Sequence, residues 1–310
     1  AGGFAKALRT VPVVLGIADA VRRGAAGDAW IVDFTNPVGI VTRALLDAGH
    51  RAIGLCNVAI GFQRRFATWL GTDPGTVQLG HAGLNHLTWI RSVHVDGADV
   101  MPALLRDHGD EIAADVELPR RLMDELCAIP SYYLRYYYDH DAVVEEQRRQ
   151  PTRAQEVMAI EAELLRAYRD PALRTKPEVL MRRGGAYYST AALQLLTSLF
   201  TDAGDVQVVD VRNSATIPTL PPEAVVEVPA RIGRSGAEPL PVPPLPQHQA
   251  GLTSHTAAYE ALAAAAAVSG DHELAFRALL THPLIGQSDL AEKLLHEILE
   301  ANRQFLPAFA

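Results

Sequence analysis

The sequence predicts an α/β fold, in which the second half of a doubly wound, Rossmann-like domain is followed by an α+β region. Three features indicate this: a strand, a helix and a strand follow one another near the start, further strands come next, and the C-terminal region is helical. With 310 residues, 48% hydrophobic and 21% charged, the chain can form one large core or two joined subdomains. We expect the second half of a Rossmann-like, dinucleotide-binding domain over residues 1–58 and an α+β domain over 59–310.

The first predicted elements alternate between helix and strand. Apolar residues at helical spacing predict a helix from Gly3 to Arg23. Ala29 to Phe34 and Arg51 to Cys56 are short apolar runs, typical of strands buried on both faces. Between them, Val38 to Ala48 predicts a helix that ends at Gly49. A helical connection between two such strands implies that they pair in parallel, as in nucleotide-binding domains.

The rest of the chain mixes strands with longer helices. Strands are predicted from Val77 to His81, Leu87 to Val95 and Val206 to Val211, and Pro239 to Pro246 is a proline-rich surface connection. We expect the aromatic cluster from Tyr132 to Tyr138 to be part of the core. The predicted helices are Ala59–Leu70, Met101–Arg106, Pro119–Cys127, Arg153–Tyr168, Ala186–Phe200, Thr253–Ser269, His272–Leu280 and Asp289–Phe305.

Charge, hydropathy and cysteine content exclude several classes of function. A net charge of -8 provides no positive field to attract nucleic acid. The longest apolar run, Ala261 to Val268, is far shorter than the roughly 20 residues that cross a bilayer. The chain is therefore expected to have neither nucleic-acid nor membrane partners. Two cysteines, Cys56 and Cys127, make no disulfide framework, so a cytoplasmic protein is expected.

Polar residues follow both strands of the predicted parallel pair. Asn36 follows the first strand, and Cys56 and Asn57 follow the second, where open α/β sheets place their ligand crevices. Side chains at strand ends can be aimed at a substrate with little loss of entropy. The structural alternatives are that Cys56 is a small buried hydrophobe and that Asn36, before Pro37, only makes a turn.

His86, in Gly83-Leu84-Asn85-His86, and Cys56 are both residue types that bind metal ions. A thiolate and an imidazole suit a borderline or soft divalent ion, and two protein ligands leave positions for substrate oxygens. The 30 residues between Cys56 and His86 match no zinc-finger spacing, so spacing alone supports a shared site only weakly. For the nearby His81 we expect a structural hydrogen bond.

Two further motifs could contribute to a site. Arg183-Gly184-Gly185-Ala186-Tyr187-Tyr188-Ser189 approaches a helix N-terminus, where a tyrosine could act as a base if the helix or a metal stabilises its phenolate. Arg212, before Asn213, offers a guanidinium suited to phosphate or sugar hydroxyls. The alternatives are a core tyrosine and, favoured for Arg212 on the motif alone, a surface salt bridge.

Taken together and in order, several motifs resemble glycoside hydrolase family 4. They are Thr35-Asn36-Pro37-Val38, Gly54-Leu55-Cys56-Asn57-Val58, Gly83-Leu84-Asn85-His86-Leu87, Arg183-Gly184-Gly185 with Tyr188-Ser189, and Arg212-Asn213. The likeness also includes Gly2-Gly3-Phe4 and Leu299-Glu300-Ala301-Asn302-Arg303, so it extends over essentially the whole chain.

The resemblance implies an NAD-dependent glycosidase with a divalent metal, usually manganese, on a fold similar to lactate and malate dehydrogenases. The family is an exception to hydrolysis by two carboxylates. In such enzymes NAD takes a hydride from C3 of the sugar, and a tyrosine removes the C2 proton that the new ketone acidifies. The C1 substituent is then eliminated, water adds, and the hydride returns.

The resemblance also assigns roles to the two parts of the chain and to individual residues. Residues 1–58 would belong to the NAD-binding domain, and residues 59–310 would provide catalysis, substrate binding and oligomerisation. Cys56 and His86 would be the metal ligands and Tyr188 the catalytic base. Asn36, Asn57 and Arg212 would contact substrate, and Asn57 would also take part in catalysis. Cys-Asn-Val resembles the 6-phospho-β-glucosidase branch, although Ala59 replaces a proline common there. A phosphorylated disaccharide or β-glucoside is the expected substrate, and a homodimer or homotetramer the expected assembly.

The glycine-rich NAD turn of the family has no counterpart in this sequence. The matching segment, with an upstream arginine that helps hold the sugar 6-phosphate, would precede Ala1, so residues that bind NAD are unknown. A chain that was complete as given would bind NAD poorly, which leaves a non-catalytic remnant as one alternative. Another family 4 glycosidase, acting on α-glucosides, galactosides or uronides, is a second, and a plain 2-hydroxy acid dehydrogenase is a third.

Overall fold

The computed structural model describes residues 2–25, 29–184 and 187–309. The strands in these ranges are β1 Ile31–Asp33, β2 Ala52–Gly54, β3 Val77–Leu84, β4 Leu87–Val95, β5 Ala98–Asp99, β6 Ile129–Pro130, β7 Val206–Arg212, β8 Val225–Gly233 and β9 Gly236–Pro239. The helices are α1 Gly2–Gly24, α2 Val38–Asp47, α3 Asn57–Leu70, α4 Met101–Val116, α5 Arg120–Leu126, α6 Arg135–Tyr138, α7 His140–Arg149, α8 Arg153–Ala167, α9 Leu180–Arg183, α10 Tyr188–Thr201, α11 Gln247–Ser269, α12 His272–Thr281 and α13 Ser288–Asn302.

The first sheet confirms the predicted strand, helix, strand unit. Strands β1 and β2 pair in parallel, with Val32 opposite Ile53, and α2 connects them. The sheet continues in the order β1-β2-β7-β8-β9, and every pair beyond β2 is antiparallel. Because Gly54 of β2 lies opposite Asp210 of β7, the sheet joins residues on both sides of position 58. The division into domains at that position remains a prediction.

The second sheet is an antiparallel hairpin with two short additions. Strands β3 and β4 pair from Val77–Val95 to Leu84–Leu87, with a register shift between Leu79 and His81. Strands β5 and β6 pair with different parts of β4. Helices α3, α4 and α5 cover this sheet through a core that includes the fully buried Phe66 and Met123.

Helices α1, α2, α11, α12 and α13 form a separate layer around another apolar core. The layer includes the buried residues Phe4, Leu45 and Leu279, and small alanines of α11 allow its neighbours to pack closely. Gly54 sets the distance between α2 and β2. A Cβ atom at Gly54 would come within 2.5 Å of Thr42 Oγ1 and 2.7 Å of Asp210 Cβ. In the part of the chain described here, no helix has the length and apolarity to cross a bilayer.

Most predicted elements are present, and three of the larger differences have physical causes. Strands β8 and β9 were not predicted: Pro229 interrupts β8, and its residues are buried on both faces, so its sequence does not alternate. Helix α7 was missed because Val143 is its one buried residue. Helix α4 extends to Val116, beyond the predicted end at Arg106. For the helix predicted from Ala186, the first residue lies outside the described ranges.

Candidate active site

The site forms at the carboxyl edge of the parallel pair β1 and β2. Asn36 follows β1, and Cys56 follows β2 with an extended backbone, φ −118° and ψ 146°. Cys56 is 6% exposed and precedes Asn57, the first residue of α3. Asn36 and Cys56 therefore both lie between a strand and the helix that follows it, as the sequence predicts.

His86 reaches the same region from the turn between β3 and β4. Since Leu84 pairs with Leu87, Asn85 and His86 are the two turn residues, and His86 has a left-handed backbone with φ 67°. Its imidazole stacks on the ring of Tyr133, with 3.7 Å between ring centroids and 15° between planes. This stacking fixes the plane of the imidazole.

Cys56 and His86 approach a common neighbourhood, defined by Asn85 and Tyr133. The side chain of Asn85 makes a hydrogen bond to the Cys56 thiol that favours its ionised form. Burial, and after it the charge of a Cys56 thiolate, raises the pKa of Tyr133 to about 12. The same phenol stacks on His86, so Tyr133 lies in contact with the imidazole and within the electrostatic reach of the Cys56 thiol.

Buried carboxyl groups lie behind these residues. Glu227, which is 1% exposed, accepts a 2.9 Å hydrogen bond from Asn85 Nδ2 and is 2.8 Å from His81 Nε2. The structural hydrogen bond expected for His81 is thereby confirmed. On the neighbouring strand, burial and the facing Glu227 raise the pKa of Asp210 well above its usual range. Asn85 is thus held by groups that belong to the first sheet.

His86 can bind a divalent cation in its neutral form, whereas Cys56 must first lose its proton. Burial raises the pKa of Cys56 well above its usual range, and the negative charge of Glu227 adds to the effect. Burial lowers the pKa of His86 to about 4, so the imidazole is neutral and can act as a ligand. In the described ranges no group of three or more His, Cys, Asp or Glu side chains could hold a metal. A site with two protein ligands, open to substrate oxygens, fits this donor set.

Tyr188 is the first residue of α10 and faces the same edge. Asn36 makes a hydrogen bond to its hydroxyl, and its ring lies 5.4 Å from that of Phe34. Burial, then the charge on Cys56, raises the pKa of Tyr188, while the bond from Asn36 lowers it. A cation near Cys56 would act on the Tyr188 pKa in the opposite direction to the thiolate. The buried Oδ1 of Asn36 has no hydrogen-bond partner in the described ranges.

The structure does not bring Arg212 to this cluster, so its predicted contact with substrate stays a prediction that its position does not support. Strand β7 runs antiparallel to β2, with Asp210 opposite Gly54, so Arg212 lies toward the edge opposite Cys56. Its guanidinium is 2.5 Å from Asp47 at the end of α2 and also donates to the carbonyl of Glu223. The surface salt bridge, the alternative from the motif, is what forms. The adjacent Asn213 organises its own loop through carbonyl groups of residues 217–221.

Comparison with known proteins identifies the family. The model described as "Family 4 glycosyl hydrolase" matches residues 1–72, and "Family 4 glycosyl hydrolase C-terminal domain" matches residues 81–285. The chain belongs to glycosyl hydrolase family 4. One relative, the "Probable 6-phospho-beta-glucosidase" of Bacillus subtilis, is 37% identical over 99% of this chain and 72% of its own length.

Solved structures of the family have the same fold. The 6-phospho-beta glucosidase of Thermotoga maritima, solved with manganese, NAD+ and glucose-6-phosphate, matches with a TM-score of 0.88. It is 37% identical, and the match covers 98% of this chain and 73% of that one. Malate dehydrogenase of Aeropyrum pernix, at 16% identity and a TM-score of 0.51 over 84% of this chain and 72% of its own, supports only the fold. The predicted class, a Rossmann-like part with a dehydrogenase-like C-terminal region, is confirmed.

Sequence reasoning missed three residues of this cluster. Asn85 was visible only as the residue before His86, and Tyr133 was expected to be part of the core. Glu227 lies on β8, a strand that was not predicted, and no local motif marks it. The one usable signal was the two-residue turn between β3 and β4, which places Asn85 and His86 together.

Proposed function

We propose that this chain is a 6-phospho-β-glucosidase, with Cys56 and His86 as metal ligands and Tyr188 as the base. The observation that carries the proposal is the position of Tyr188, held by Asn36 within the electrostatic reach of Cys56. Family membership and the 37% identity to proteins called 6-phospho-beta-glucosidases support the reaction and the anomer. NAD and Mn²⁺, present in the solved relative, are the proposed cofactors.

The residues divide the chemical work among them. A divalent ion held by Cys56 and His86 would supply a Lewis acid for negative charge on the sugar oxygens, and bound NAD would accept and return a hydride. Tyr188 removes the C2 proton, for which its hydroxyl must first ionise. Asn36 orients that hydroxyl and offers the unpaired Oδ1 to a sugar hydroxyl.

Asn57 would contact the substrate beside the metal ligands and take part in catalysis. It occupies the first turn of a 14-residue helix, where backbone N–H groups point toward the site. A neutral amide at this position also adds no charge next to the Cys56 thiol. Its assignment rests on the family likeness of Cys56-Asn57-Val58 and on its place beside Cys56.

The location and the assembly belong to the same proposal. Cys56 and Cys127 are both free thiols, which agrees with the reducing cytoplasm. A homodimer or homotetramer is proposed on the family likeness. Equilibrium sedimentation of the native protein would test the assembly, and a monomer would contradict it.

Hydrolysis of chromogenic substrates by the native protein tests the function. With NAD+ and Mn²⁺, 4-nitrophenyl 6-phospho-β-glucoside should be hydrolysed, and removal of either cofactor should abolish the reaction. The α-anomer and the unphosphorylated glucoside serve as matched controls. Preference for the α-anomer would assign another family 4 activity. No hydrolysis of any of the three, by protein of verified intact mass, would favour a non-catalytic remnant.

A further inference from the structure

A cavity of about 500 Å³ opens at the surface of the layer formed by α1, α2, α11, α12 and α13. It lies between one face of α13, the C-terminal residues 303–309 and the first residue of α12. Its volume falls within the range of about 300–1,000 Å³ that is usual for small-molecule sites. None of Cys56, His86 and Tyr188 lines it, so this cavity is separate from the candidate active site.

The floor of the cavity is apolar. Leu295 of α13 and Leu306 are buried and belong to the core of the helical layer. Leu299 and Phe309 are partly buried and pack against the same core. A ligand with hydrocarbon groups would remove some of this apolar surface, and some of its own, from water. The floor therefore favours a ligand with an apolar body over a fully hydrated ion.

The C-terminal wall of the cavity is held in place by the start of α12. His272 Nε2 lies 3.3 Å from the carbonyl oxygen of Phe309, and the centroids of the two rings are 5.5 Å apart. Gly270, with φ 73°, permits the close approach of the chain, because a Cβ atom there would overlap the carbonyl group of Ala308. A wall that is already formed requires little further ordering when a ligand binds.

The lining of the cavity carries one negative charge that the protein does not balance. Glu300 and Arg303 both line the cavity, and their charges cancel because they form an ion pair with each other. Glu292 also lines it and has no ion-pair or hydrogen-bond partner among the described residues. The neighbouring Lys293 does not compensate for it, since Lys293 pairs with Glu297. With its histidines neutral, the lining therefore has the single uncompensated charge of Glu292.

We propose that this cavity binds a small organic cation, whose ammonium group pairs with Glu292 while its apolar body lies on Leu299 and Phe309. The carboxylate favours a cation and repels an anion, so a sugar phosphate is excluded from this place. An aromatic ring beside the carboxylate adds to the attraction when an ammonium group lies over its face. The proposal does not depend on the proposed function, because no residue of the candidate active site takes part in it.

Three probes of similar size and different charge test the proposal: benzylamine, benzyl alcohol and benzoate. Titrations of the native protein at low salt, followed by saturation-transfer difference NMR, measure their affinities without turnover. Benzyl alcohol should bind about fivefold more weakly than benzylamine, the loss of one partly exposed ion pair, and benzoate more weakly still. Glu292→Gln should reduce the affinity for benzylamine to that for benzyl alcohol. The control Glu297→Gln, which neutralises an exposed glutamate of α13 outside the cavity, should leave all three affinities unchanged.

Equal affinity of the native protein and Glu292→Gln for benzylamine would overturn the proposal, as would equal affinity for the three probes. No binding of benzylamine would also overturn it, and is the result expected if another protein surface covers the cavity in the native assembly. Glu292 is exposed, so we expect Glu292→Gln to fold, and thermal unfolding checks this. If that variant is unstable, the salt dependence of the native protein decides. Higher salt should weaken the binding of benzylamine but not of benzyl alcohol, and an unchanged affinity for benzylamine would contradict the proposal.

Discussion

Glu227 connects the stability of the fold with the ionisation of the candidate metal ligand. Its carboxylate receives hydrogen bonds from His81 and Asn85 and is 1% exposed. A hydrogen bond to a charged group contributes about 1.5–3 kcal/mol, and removal of one partner of a buried pair costs about 3–5 kcal/mol. We therefore expect Glu227→Ala to lower the free energy of unfolding by about 3–5 kcal/mol. Glu227→Gln, which keeps one acceptor and the side-chain volume, should lose about 1–3 kcal/mol.

The same substitution should change the pKa of Cys56 in a known direction. The negative charge of Glu227 is the second cause, after burial, of the raised pKa of Cys56. Loss of that charge should lower the thiol pKa, so a larger fraction of thiolate is present at any given pH. Cys127 is exposed and would interfere, so the experiment uses a Cys127→Ser background.

Urea unfolding and a pH titration of thiolate absorbance measure the two effects. The matched control is Glu238→Gln, which neutralises an exposed glutamate on β9 of the same sheet. It should change neither the unfolding midpoint nor the Cys56 titration. If Glu227→Gln and Glu238→Gln gave the same midpoint and the same thiol pKa, the assigned role of Glu227 would be refuted.

Three further predictions concern the site and its support. Tyr188→Phe should retain substrate binding and lose exchange of the C2 proton with solvent, as followed by NMR in deuterated buffer; unchanged exchange would exclude Tyr188 as the base. Gly54→Ala should lose about 1–3 kcal/mol of stability because the new Cβ would overlap Thr42 and Asp210. The control Gly16→Ala, where no atom lies within 4 Å of the new Cβ, should gain about 0.5–1 kcal/mol. Equal shifts of the unfolding temperature in the two variants would contradict this packing. Arg212→Gln should leave kcat/KM unchanged and lower the free energy of unfolding by less than about 1 kcal/mol, since it breaks a partly exposed ion pair. A large rise in KM would instead indicate that Arg212 contacts the substrate.

The sequence predicted those parts of the site that follow from local rules. Asn36 and Cys56 were found because polar residues directly after buried parallel strands have few other structural roles. Most helices were also found, since their apolar residues recur at helical spacing. The proposal that His86 binds a metal together with Cys56 depended on the family resemblance, because a separation of 30 residues in sequence does not determine the distance between two side chains.

What could not be predicted depends on pairing between distant segments. Glu227 meets Asn85 and His81 only because β8 pairs with β7, which in turn pairs with β2. The position of Arg212, away from Cys56, could not be predicted for the same reason. The carboxyl end of a strand lies at the ligand-binding edge of the sheet only if the strand runs in the same direction as β1 and β2. Strand β7 runs in the opposite direction, so its carboxyl end, with Arg212, lies at the other edge. The direction of a strand is a property of the sheet and not of its own residues.

Absorption spectroscopy with Co²⁺ tests the central claim, that Cys56 and His86 together hold a divalent ion, and requires neither NAD nor substrate. Titration of the metal-free protein should produce a thiolate-to-cobalt charge-transfer band that Cys56→Ser removes, His86→Ala weakens and Cys127→Ser leaves unchanged. Because the pKa of Cys56 is raised, binding must release its proton, so affinity should rise with pH at up to about tenfold per unit. Protonation of His86, whose pKa is about 4, competes only in more acidic solution. A charge-transfer band that persists undiminished in Cys56→Ser would contradict the account.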